Sequence, residues 1–358
     1  MKLRPILHIF AIIAIVLTLI PFIAVDYWWI RIFDFPHIQL TILTFTALVV
    51  YFMRFRINQP RDYIFVVALA ACFVYQVLKI YPYTALAPLE VMDATEVSEE
   101  RKISLYTANV LQKNEKKQAL IDDILEKAPD LILLLETNTE WMRTVSQKLP
   151  REYAHKVEIP LDNTYGMLLY SKLPLINPEA FYMVKEDIPS IRSKVVLRTG
   201  DTIQLFTLHP TPPMPQHNPK SSDRDAEMMK TANLSRESHY PVIVLGDLND
   251  VAWSNTTKLF QNVGELLDLR KGRGFYNTFN AKNALMRWPL DHIFVSEEFR
   301  VVKFGLGASI HSDHYPAFAV LNFEPEGAAE QRPPRPSDAQ LKDAKEQASG
   351  VQEVIIDF

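Results

Sequence analysis

Two short motifs place acidic and amide side chains beside apolar segments. Residues 242–250 read VIVLGDLND, so an apolar run ends at Asp247, and Asn249 follows two residues later. Residues 311–314 read HSDH and stand directly before the apolar run YPAFAVLNF. A strand followed by a glycine turn and two turn-forming side chains explains many GDxN strings. The alternative is a site in which carboxylates, an amide and imidazoles handle a reacting group.

The same arrangement recurs along residues 101–323. Polar residues stand at the ends of six apolar runs: Asn109, Glu136, His209, Asp247 with Asn249, Asp291 with His292, and Ser312 to His314. A charged residue at the end of a buried strand costs free energy unless it is paired or bound. One such residue is routinely a cap, but six strand ends of this kind indicate a site at one edge of a sheet.

Three of these residues carry hard oxygen atoms that suit a metal ion. Asn109, Glu136 and Asp313 offer amide and carboxylate oxygens, which are the ligands that Mg²⁺ or Mn²⁺ takes in proteins. Such an ion would neutralise charge on a phosphoryl group and on its leaving group. The sequence therefore predicts metal-assisted attack on a phosphate.

The other residues suit proton transfer and the positioning of a nucleophile. A pair of His314 with Asp291 would hold one imidazole in a fixed tautomer, ready to keep or donate a proton. Asp247 with Asn249 would orient a water molecule for in-line attack. On this reading the strand ends in a carboxylate because a nucleophile must be held beside a metal.

Short strands and a few helices must position these residues. We predict strands at 103–110, 130–137, 165–174, 194–199, 202–210, 241–250, 289–296 and 315–323. Helical spacing of apolar residues predicts helices at 116–128 and 221–238. This series indicates a layered α/β or α+β domain with substantial sheet.

The ordered motifs resemble the endonuclease/exonuclease/phosphatase superfamily, the family with the DNase-like fold. The segments TANV, LLLETN, TLHPTPP, VIVLGDLND, PLDHIFVS and HSDHYPAFAVL occur in that order within residues 101–323. The resemblance implies a four-layer sandwich of two mixed β-sheets flanked by helices. It implies the roles given above for the seven site residues and adds His209 as a catalytic histidine, as in the DNase and sphingomyelinase branches.

Three further histidines are expected to have other roles. His292 would point to the opposite face of its strand from Asp291 and pack there. His311 is expected to be a solvated neighbour of the HSDH motif, and His217 to lie in a mobile proline-rich loop.

The first hundred residues contain three apolar runs, at 5–25, 38–53 and 63–81. About 20 apolar residues are needed to cross the hydrocarbon core, so we predict a membrane anchor of three transmembrane helices in residues 1–85. Five Lys or Arg residues lie either before the first span or between the second and the third. Only two lie between the first and the second span or near the end of the third. This bias places the N-terminus in the cytoplasm and the residues after 85 on the outer or periplasmic face of the inner membrane.

Composition limits the classes of function and the kinds of covalent cross-link that this chain can have. The net charge of −4, spread over three regions without a basic block, does not indicate strong non-specific binding to nucleic acid. The single cysteine, Cys72, excludes a disulfide within one chain. Residues 86–100 are expected to be a linker, and the proline- and charge-rich residues 324–358 a disordered tail.

The sequence leaves several functions open. The leading one is a metal-dependent phosphodiesterase or phosphatase that uses water as the nucleophile. The alternatives are an extracytoplasmic nuclease acting on DNA or RNA, and a membrane-tethered binding module without turnover. The expected partners are a phosphoester substrate, whether lipid, nucleic acid or small molecule, and the bilayer through the N-terminal helices, with no obligate protein partner.

Overall fold

The computed structural model describes residues 3–23, 26–215 and 218–349. His217 and residues 350–358 of the expected tail lie outside these ranges. Within them, an N-terminal group of apolar helices is followed by a sandwich of two sheets.

Twelve strands occur in the described residues and form the two sheets. They are β1 (Lys102–Asn109), β2 (Leu131–Leu135), β3 (His155–Ile159), β4 (Met167–Ser171), β5 (Leu175–Phe181), β6 (Ser190–Val196), β7 (Thr202–Leu208), β8 (Val242–Asp247), β9 (Leu267–Asp268), β10 (Asp291–Val295), β11 (Phe299–Leu306) and β12 (Ala317–Phe323). The central strands are buried on both faces, which is why their sequences, such as LILLL in β2, run apolar without alternation.

Both sheets are mixed, and each has one parallel pair near its centre. The first sheet has the order β11-β12-β1-β2-β4-β3, and the second has the order β5-β6-β7-β8-β10-β9. β1 is parallel to β2, and β7 is parallel to β8, whereas the other neighbours are antiparallel. The parallel pairs bring four carboxyl ends of strands to the same edge of the sandwich.

Nine α-helices lie in the described residues. They are α1 (Leu3–Leu19), α2 (Trp28–Arg31), α3 (His37–Phe52), α4 (Pro60–Ile80), α5 (Lys117–Lys127), α6 (Thr139–Lys148), α7 (Ser222–Arg236), α8 (Asn255–Val263) and α9 (Asp338–Ser349). Short 3-10 helices occupy Ile20–Phe22, Ile32–Asp34, Tyr81–Tyr83 and Pro325–Gln331.

Three apolar cores give the predicted order of layers. The largest core lies between the sheets and joins residues such as Leu105 and Leu133 of the first sheet to Leu205 and Ile243 of the second. α5 and α6 cover the outer face of the first sheet, and α7 and α8 cover that of the second. The architecture agrees with the expected sandwich of two mixed sheets flanked by helices.

The anchor, residues 3–80, differs from the sequence prediction. Two segments, Arg4–Phe22 and Pro60–Tyr83, are long and apolar enough to cross a membrane. The expected second span is not a third straight helix, because α3 has 16 residues and joins the segment Trp28–Asp34 at a bend of 71°. The described residues therefore contain two straight helices that could span a membrane, not the three that were predicted. A third crossing exists only if Trp28–Asp34 and α3 together form one bent span.

The tail and the linker are more ordered than their compositions suggest. The described part of the tail ends in α9, which packs on α7 and α8 with Ala344 buried and Leu341 partly buried. Disorder is thus not found in residues 325–349, because α9 covers apolar surface on the second helical layer. Residues 86–100 have no regular element apart from a bridge at Asp93, but Glu90 pairs with Lys271 at 2.8 Å and Val91 is buried.

The anchor is docked onto the sandwich through a further apolar cluster. Tyr83 packs with Trp253 and Leu290 of the sandwich, and Phe35 and Ile80 of the anchor lie against them. Trp253 donates a hydrogen bond from Nε1 to the carbonyl of Asp34 at 2.8 Å. These contacts fix the position of the sandwich relative to α3 and α4.

Candidate active site

Asp247 is the centre of the polar residues at the edge of the sandwich. It is the last residue of β8, is fully buried, and lies opposite Asp291 in the antiparallel pairing of β8 with β10. Its Oδ2 accepts a hydrogen bond from Asn109 Nδ2 at 3.2 Å, and it lies 3.7 Å from His314 Nε2 and 3.9 Å from His209 Nε2. Side chains from β1, β7, β8 and the segment before β12 therefore meet at one carboxylate.

Gly246 is the first residue of the GDLN motif, and the backbone geometry requires glycine at this position. Its φ is +147°, and a Cβ at this position would lie 2.0 Å from the carbonyl oxygen of Leu208 in the neighbouring parallel strand. Only glycine fits such a close approach of two backbones. The approach brings the ends of β7 and β8 together, and so brings His209 beside Asp247.

His314 and Asp291 form the imidazole–carboxylate pair expected from the sequence. His314 Nδ1 and Asp291 Oδ2 are 2.7 Å apart, and both residues are buried. Burial lowers the pKa of His314, but the charges of Asp291 and Asp247 outweigh burial and raise this pKa to about 10. The imidazole is therefore held as a cation at neutral pH, with its Nε2 directed towards Asp247.

Glu136 and Asn109 form a second pair beside Asp247. Asn109 donates from Nδ2 to Glu136 Oε1 at 2.8 Å, and the Gln112 backbone N–H donates to Glu136 Oε2 at 3.4 Å. Glu136 has a φ of +58°, an unusual backbone conformation for a non-glycine residue, and its side chain is partly exposed. The left-handed turn after β2 thus keeps a carboxylate at the open side of the site.

Asn249 is held between the two loops that follow β7 and β8. Its backbone N–H donates to Asp247 Oδ1 at 2.9 Å, and its Nδ2 donates to the carbonyl of Pro210 at 2.9 Å. Its φ of +50° turns the chain sharply after the strand.

His209 packs its ring 5.4 Å from that of Tyr165, and its buried Nδ1 has no hydrogen-bond partner among the described residues.

Asp313 is joined to the rest of the site through Ser312, whose Oγ also donates to the carbonyl of Asn109 at 2.8 Å. Its Oδ1 accepts from Ser312 Oγ at 3.3 Å, and its backbone carbonyl accepts from the Ala281 N–H at 2.7 Å. Within the described ranges it has no hydrogen bond or ion pair with Asn109 or Glu136. Asn109 and Glu136 are thus in direct contact, and Asp313 is linked to them through Ser312.

A different set of side chains has the spacing of metal ligands. Asp247, Asp291 and His314 each offer a ligand atom, and these atoms all lie within 4.8 Å of one another. The buried Asp291 Oδ1 has no hydrogen-bond partner among the described residues. No Lys or Arg in the described chain forms an ion pair with Glu136, Asp247, Asp291 or Asp313. The surplus of carboxylates over Lys and Arg at this edge fits a divalent cation. A His314 held as a cation offers no lone pair to that ion, so the oxygen atoms of the neighbouring Glu136 and Asn109 remain available as its ligands.

Several neighbouring residues hold the site residues in place. Ser312 donates from Oγ to the carbonyl of Asn109 at 2.8 Å, which docks the HSDH turn onto the end of β1. Thr278 Oγ1 accepts from the Asp291 N–H at 3.2 Å, and the ring of Phe279 lies 4.9 Å from that of His314. Phe279 therefore forms an aromatic wall beside His314.

His292 lies away from the site, as its place on the strand predicts. Its Nδ1 is 3.0 Å from Arg270 Nη1, and its Nε2 is 2.9 Å from the carbonyl of Asp250. Complete burial lowers the pKa of His292 well below its usual value, and the charge of Arg270 lowers it further. His292 is a neutral, structural histidine.

Comparisons with known proteins agree with this architecture. The model of the Endonuclease/Exonuclease/phosphatase family matches residues 106–314, more than half of the chain. A search of curated proteins gave no match.

Solved structures share the fold at low identity. D. rerio TDP2 complexed with a single-strand DNA product has a TM-score of 0.51 and 17% identity, covering 62% of this chain and 99% of that chain. A functionally unknown conserved protein from Enterococcus faecalis V583 has a TM-score of 0.51 and 16% identity, covering 62% of this chain and 100% of its own. Given the family match over residues 106–314, the chain belongs to the endonuclease/exonuclease/phosphatase family.

Proposed function

We propose that the protein is a metal-dependent phosphoesterase in which water attacks the phosphorus directly. The observation that carries this proposal is the convergence of Asn109, His209 and His314 on Asp247 at one edge of the sandwich. Membership of the family adds support, because its members depend on divalent metal ions.

Asp247 and Asn249 are proposed to hold the attacking water. Asp247 accepts hydrogen bonds and lies at the end of a buried strand, where its position is fixed by the Asn249 N–H. It takes the proton that the water loses as the new bond to phosphorus forms. The bond from phosphorus to the leaving oxygen breaks, and that oxygen takes up a proton.

The histidines are proposed to bind the phosphoryl oxygens. His314 is held as an imidazolium by Asp291, so its Nε2 donates a hydrogen bond to a negatively charged oxygen. His209 approaches the same region from β7. Such preorganised donors stabilise the charge that develops in the transition state.

Mg²⁺ or Mn²⁺ is the proposed cofactor, with Glu136, Asn109 and Asp313 as its protein ligands. When bound, the ion would neutralise charge on the phosphoryl group. The carboxylate surplus of the site supports this choice, and the partly exposed Glu136 gives an ion access from solvent. Asp313 stands next to the other two proposed ligands through Ser312, whose Oγ contacts both the Asp313 carboxylate and the Asn109 carbonyl.

The N-terminal helices are proposed to anchor the enzyme in a membrane, with the sandwich on the outer side. Two apolar segments have sufficient length, and the Lys and Arg bias sets the direction. In the inner membrane of a bacterium, this orientation places the site in the periplasm.

The proposed function is tested by the hydrolysis of a soluble chromogenic phosphodiester by the full chain in detergent. We expect turnover with Mg²⁺ or Mn²⁺, its loss with EDTA, and its recovery when the ion is added back in excess. Turnover that persists in EDTA would contradict the proposed metal dependence. A folded protein that binds the ion but turns over neither a diester nor a monoester would favour a binding module.

A further inference from the structure

Residues 280–287, called the 280–287 loop, expose two apolar side chains beside the active site. Leu285 is 80% exposed and Met286 is 45% exposed. The backbone around them is ordered by Asn283, whose Oδ1 accepts from the N–H groups of Leu285 and Met286 at 3.1 and 3.2 Å. At the base, Arg287 donates to the carbonyls of Asn280 and Ala281. The loop is therefore built to present an apolar tip.

The tip lies against the start of a helix of the anchor. Gln39, in the first turn of α3, donates from Nε2 to the carbonyl of Leu285 at 2.7 Å. The ring of Trp288, just after the loop, packs edge-on against Phe35 at 5.6 Å. α3 itself packs against the two candidate spans, α1 and α4, and exposes apolar side chains such as Ile42 and Phe45.

Helix geometry relates this contact to the length of the candidate span α4. At one end of the pair formed by α3 and α4, Tyr51 donates to Asp62 Oδ1 at 3.1 Å; at the other end, His37 contacts Gln76. The 14 residues from Asp62 to Gln76 correspond to a rise of about 21 Å. The hydrocarbon core is about 30 Å thick, so if Asp62 marks its far boundary, Gln39 and the adjacent Leu285 lie within it or at its near surface.

The loop also forms part of the active-site rim. At its base, Phe279 packs against the ring of His314, and the Ala281 N–H donates to the carbonyl of Asp313 at 2.7 Å. Lys282 is exposed on the same loop. A positive charge near a membrane surface attracts anionic lipid headgroups. One short segment thus connects the proposed catalytic residues to the membrane surface.

We propose that Leu285 and Met286 insert into the leaflet facing the sandwich, and that the site hydrolyses the phosphoester of a lipid in that leaflet. This inference rests on the proposed phosphoesterase function and specifies its substrate class. In the reaction, a water oxygen bonds to phosphorus, the bond from phosphorus to an alcohol oxygen breaks, and that alcohol takes a proton. The products are an alcohol and a phosphate with one ester bond fewer.

The test uses the full chain reconstituted in vesicles of phosphatidylethanolamine, phosphatidylglycerol and phosphatidic acid. Hydrolysis of the vesicle lipids and of a soluble chromogenic phosphodiester is measured on the same sample. In the double variant Leu285→Ser, Met286→Ser, we expect the ratio of lipid rate to soluble rate to fall about ten-fold or more, since two apolar side chains no longer enter the acyl region. Leu125→Ser, which changes an exposed leucine on α5, should keep the wild-type ratio.

The soluble rate separates failure of the inference from failure of the proposed function. A wild-type rate on the soluble diester with no hydrolysis of any vesicle lipid would overturn the lipid substrate, as would hydrolysis of single-stranded DNA in preference to lipid. An unchanged ratio in the double variant would overturn the insertion of the loop. The absence of metal-dependent hydrolysis of both substrates by the wild type would instead refute the phosphoesterase function.

Discussion

At the scale of single residues, the site is built around the carboxylate of Asp247, which several side chains approach. Asp247 Oδ2 has Asn109, His209 and His314 around it, and Asp291 stands behind His314. These contacts join β1, β8, β10 and the segments after β7 and before β12 at a single buried side chain. The same residues therefore hold the edge of the fold together and carry the proposed chemistry.

The protonation of His314 predicts a dependence of stability on pH in the metal-free protein. Its folded pKa of about 10 lies above the usual 6.5, because Asp291 and Asp247 outweigh the effect of burial. This contribution to stability is complete below about pH 6.5 and is lost as the pH rises through about 10. We expect the Tm in EDTA to fall more steeply between pH 7 and pH 10 for the wild type than for His314→Gln. Equal slopes for the two proteins would contradict the assigned pKa.

Gly246 predicts a steric effect on folding. A Cβ at this position would lie 2.0 Å from the Leu208 carbonyl, so Gly246→Ala must separate β7 from β8. We expect a loss of roughly 2–4 kcal/mol in the free energy of unfolding, from overpacking and from the positive φ. Gly200→Ala is the matched control, because Gly200 also has a positive φ but no atom within 4 Å of its added Cβ. Thermal unfolding of both variants would separate the two causes. Steric crowding predicts a larger loss of stability in Gly246→Ala, whereas an effect of the φ angle alone predicts equal losses.

Most of the site residues could be found in the sequence because they carry one signal, a polar group at the end of an apolar strand. This signal led to Asn109, Glu136, Asp247 and Asp291, which the parallel and antiparallel pairings bring to the same edge. It could not find Phe279, because the contact of Phe279 with His314 depends on the path of a long loop.

At the scale of elements, the sequence predicted the central strands better than the edges. β2 and β8 are apolar throughout, and their positions are close to those expected. β5 was missed because it is an exposed edge strand that contains Pro178, and α6 because its polar sequence buries only Trp141 and Val145 fully. Edge strands and half-exposed helices are specified by their neighbours more than by their own composition.

α9 lies in a segment whose composition predicted disorder. Its packing predicts that a substitution on its buried side lowers the stability of the fold. Ala344 is buried where α9 packs against α7 and α8. We expect Ala344→Asp to lower the Tm by several degrees, since a buried unpaired carboxylate costs on the order of a few kcal/mol. Ala339→Asp, on the exposed side of the same helix, should leave the Tm near the wild-type value. If the two variants unfold at the same temperature, α9 does not pack on the sandwich in solution.

At the scale of the whole molecule, the anchor and the sandwich share an interface that defines where the site can act. Trp253 and Tyr83 pack in this interface, and Lys79 at the end of α4 donates to Asn255 Oδ1 at 2.8 Å. If α1 and α4 cross a membrane as proposed, this interface holds the sandwich close to the bilayer and limits its rotation. The sequence predicted the tether from hydropathy, but it contained no signal for the docking, which joins residues far apart in the chain.

The proposed orientation predicts which residues are accessible from outside a cell. Cys72 is the only native cysteine and is buried, so single cysteines can be introduced as reporters. We expect Asp122→Cys, on the exposed face of α5, to react with a membrane-impermeant maleimide in intact cells. Asn58→Cys, between α3 and α4, should react only after the membrane is opened. The reverse pattern would place the sandwich in the cytoplasm.

The measurement that tests the central claim most directly compares Asp247→Asn with the wild type and with Asp122→Asn. The full chain would be assayed on a soluble phosphodiester at saturating Mg²⁺ or Mn²⁺, with folding checked by Tm. We expect kcat to fall about 10²-fold or more in Asp247→Asn and to stay at the wild-type value in Asp122→Asn, whose carboxylate is exposed on α5. A folded Asp247→Asn enzyme with wild-type kcat would show that the carboxylate at the end of β8 does not hold the attacking water.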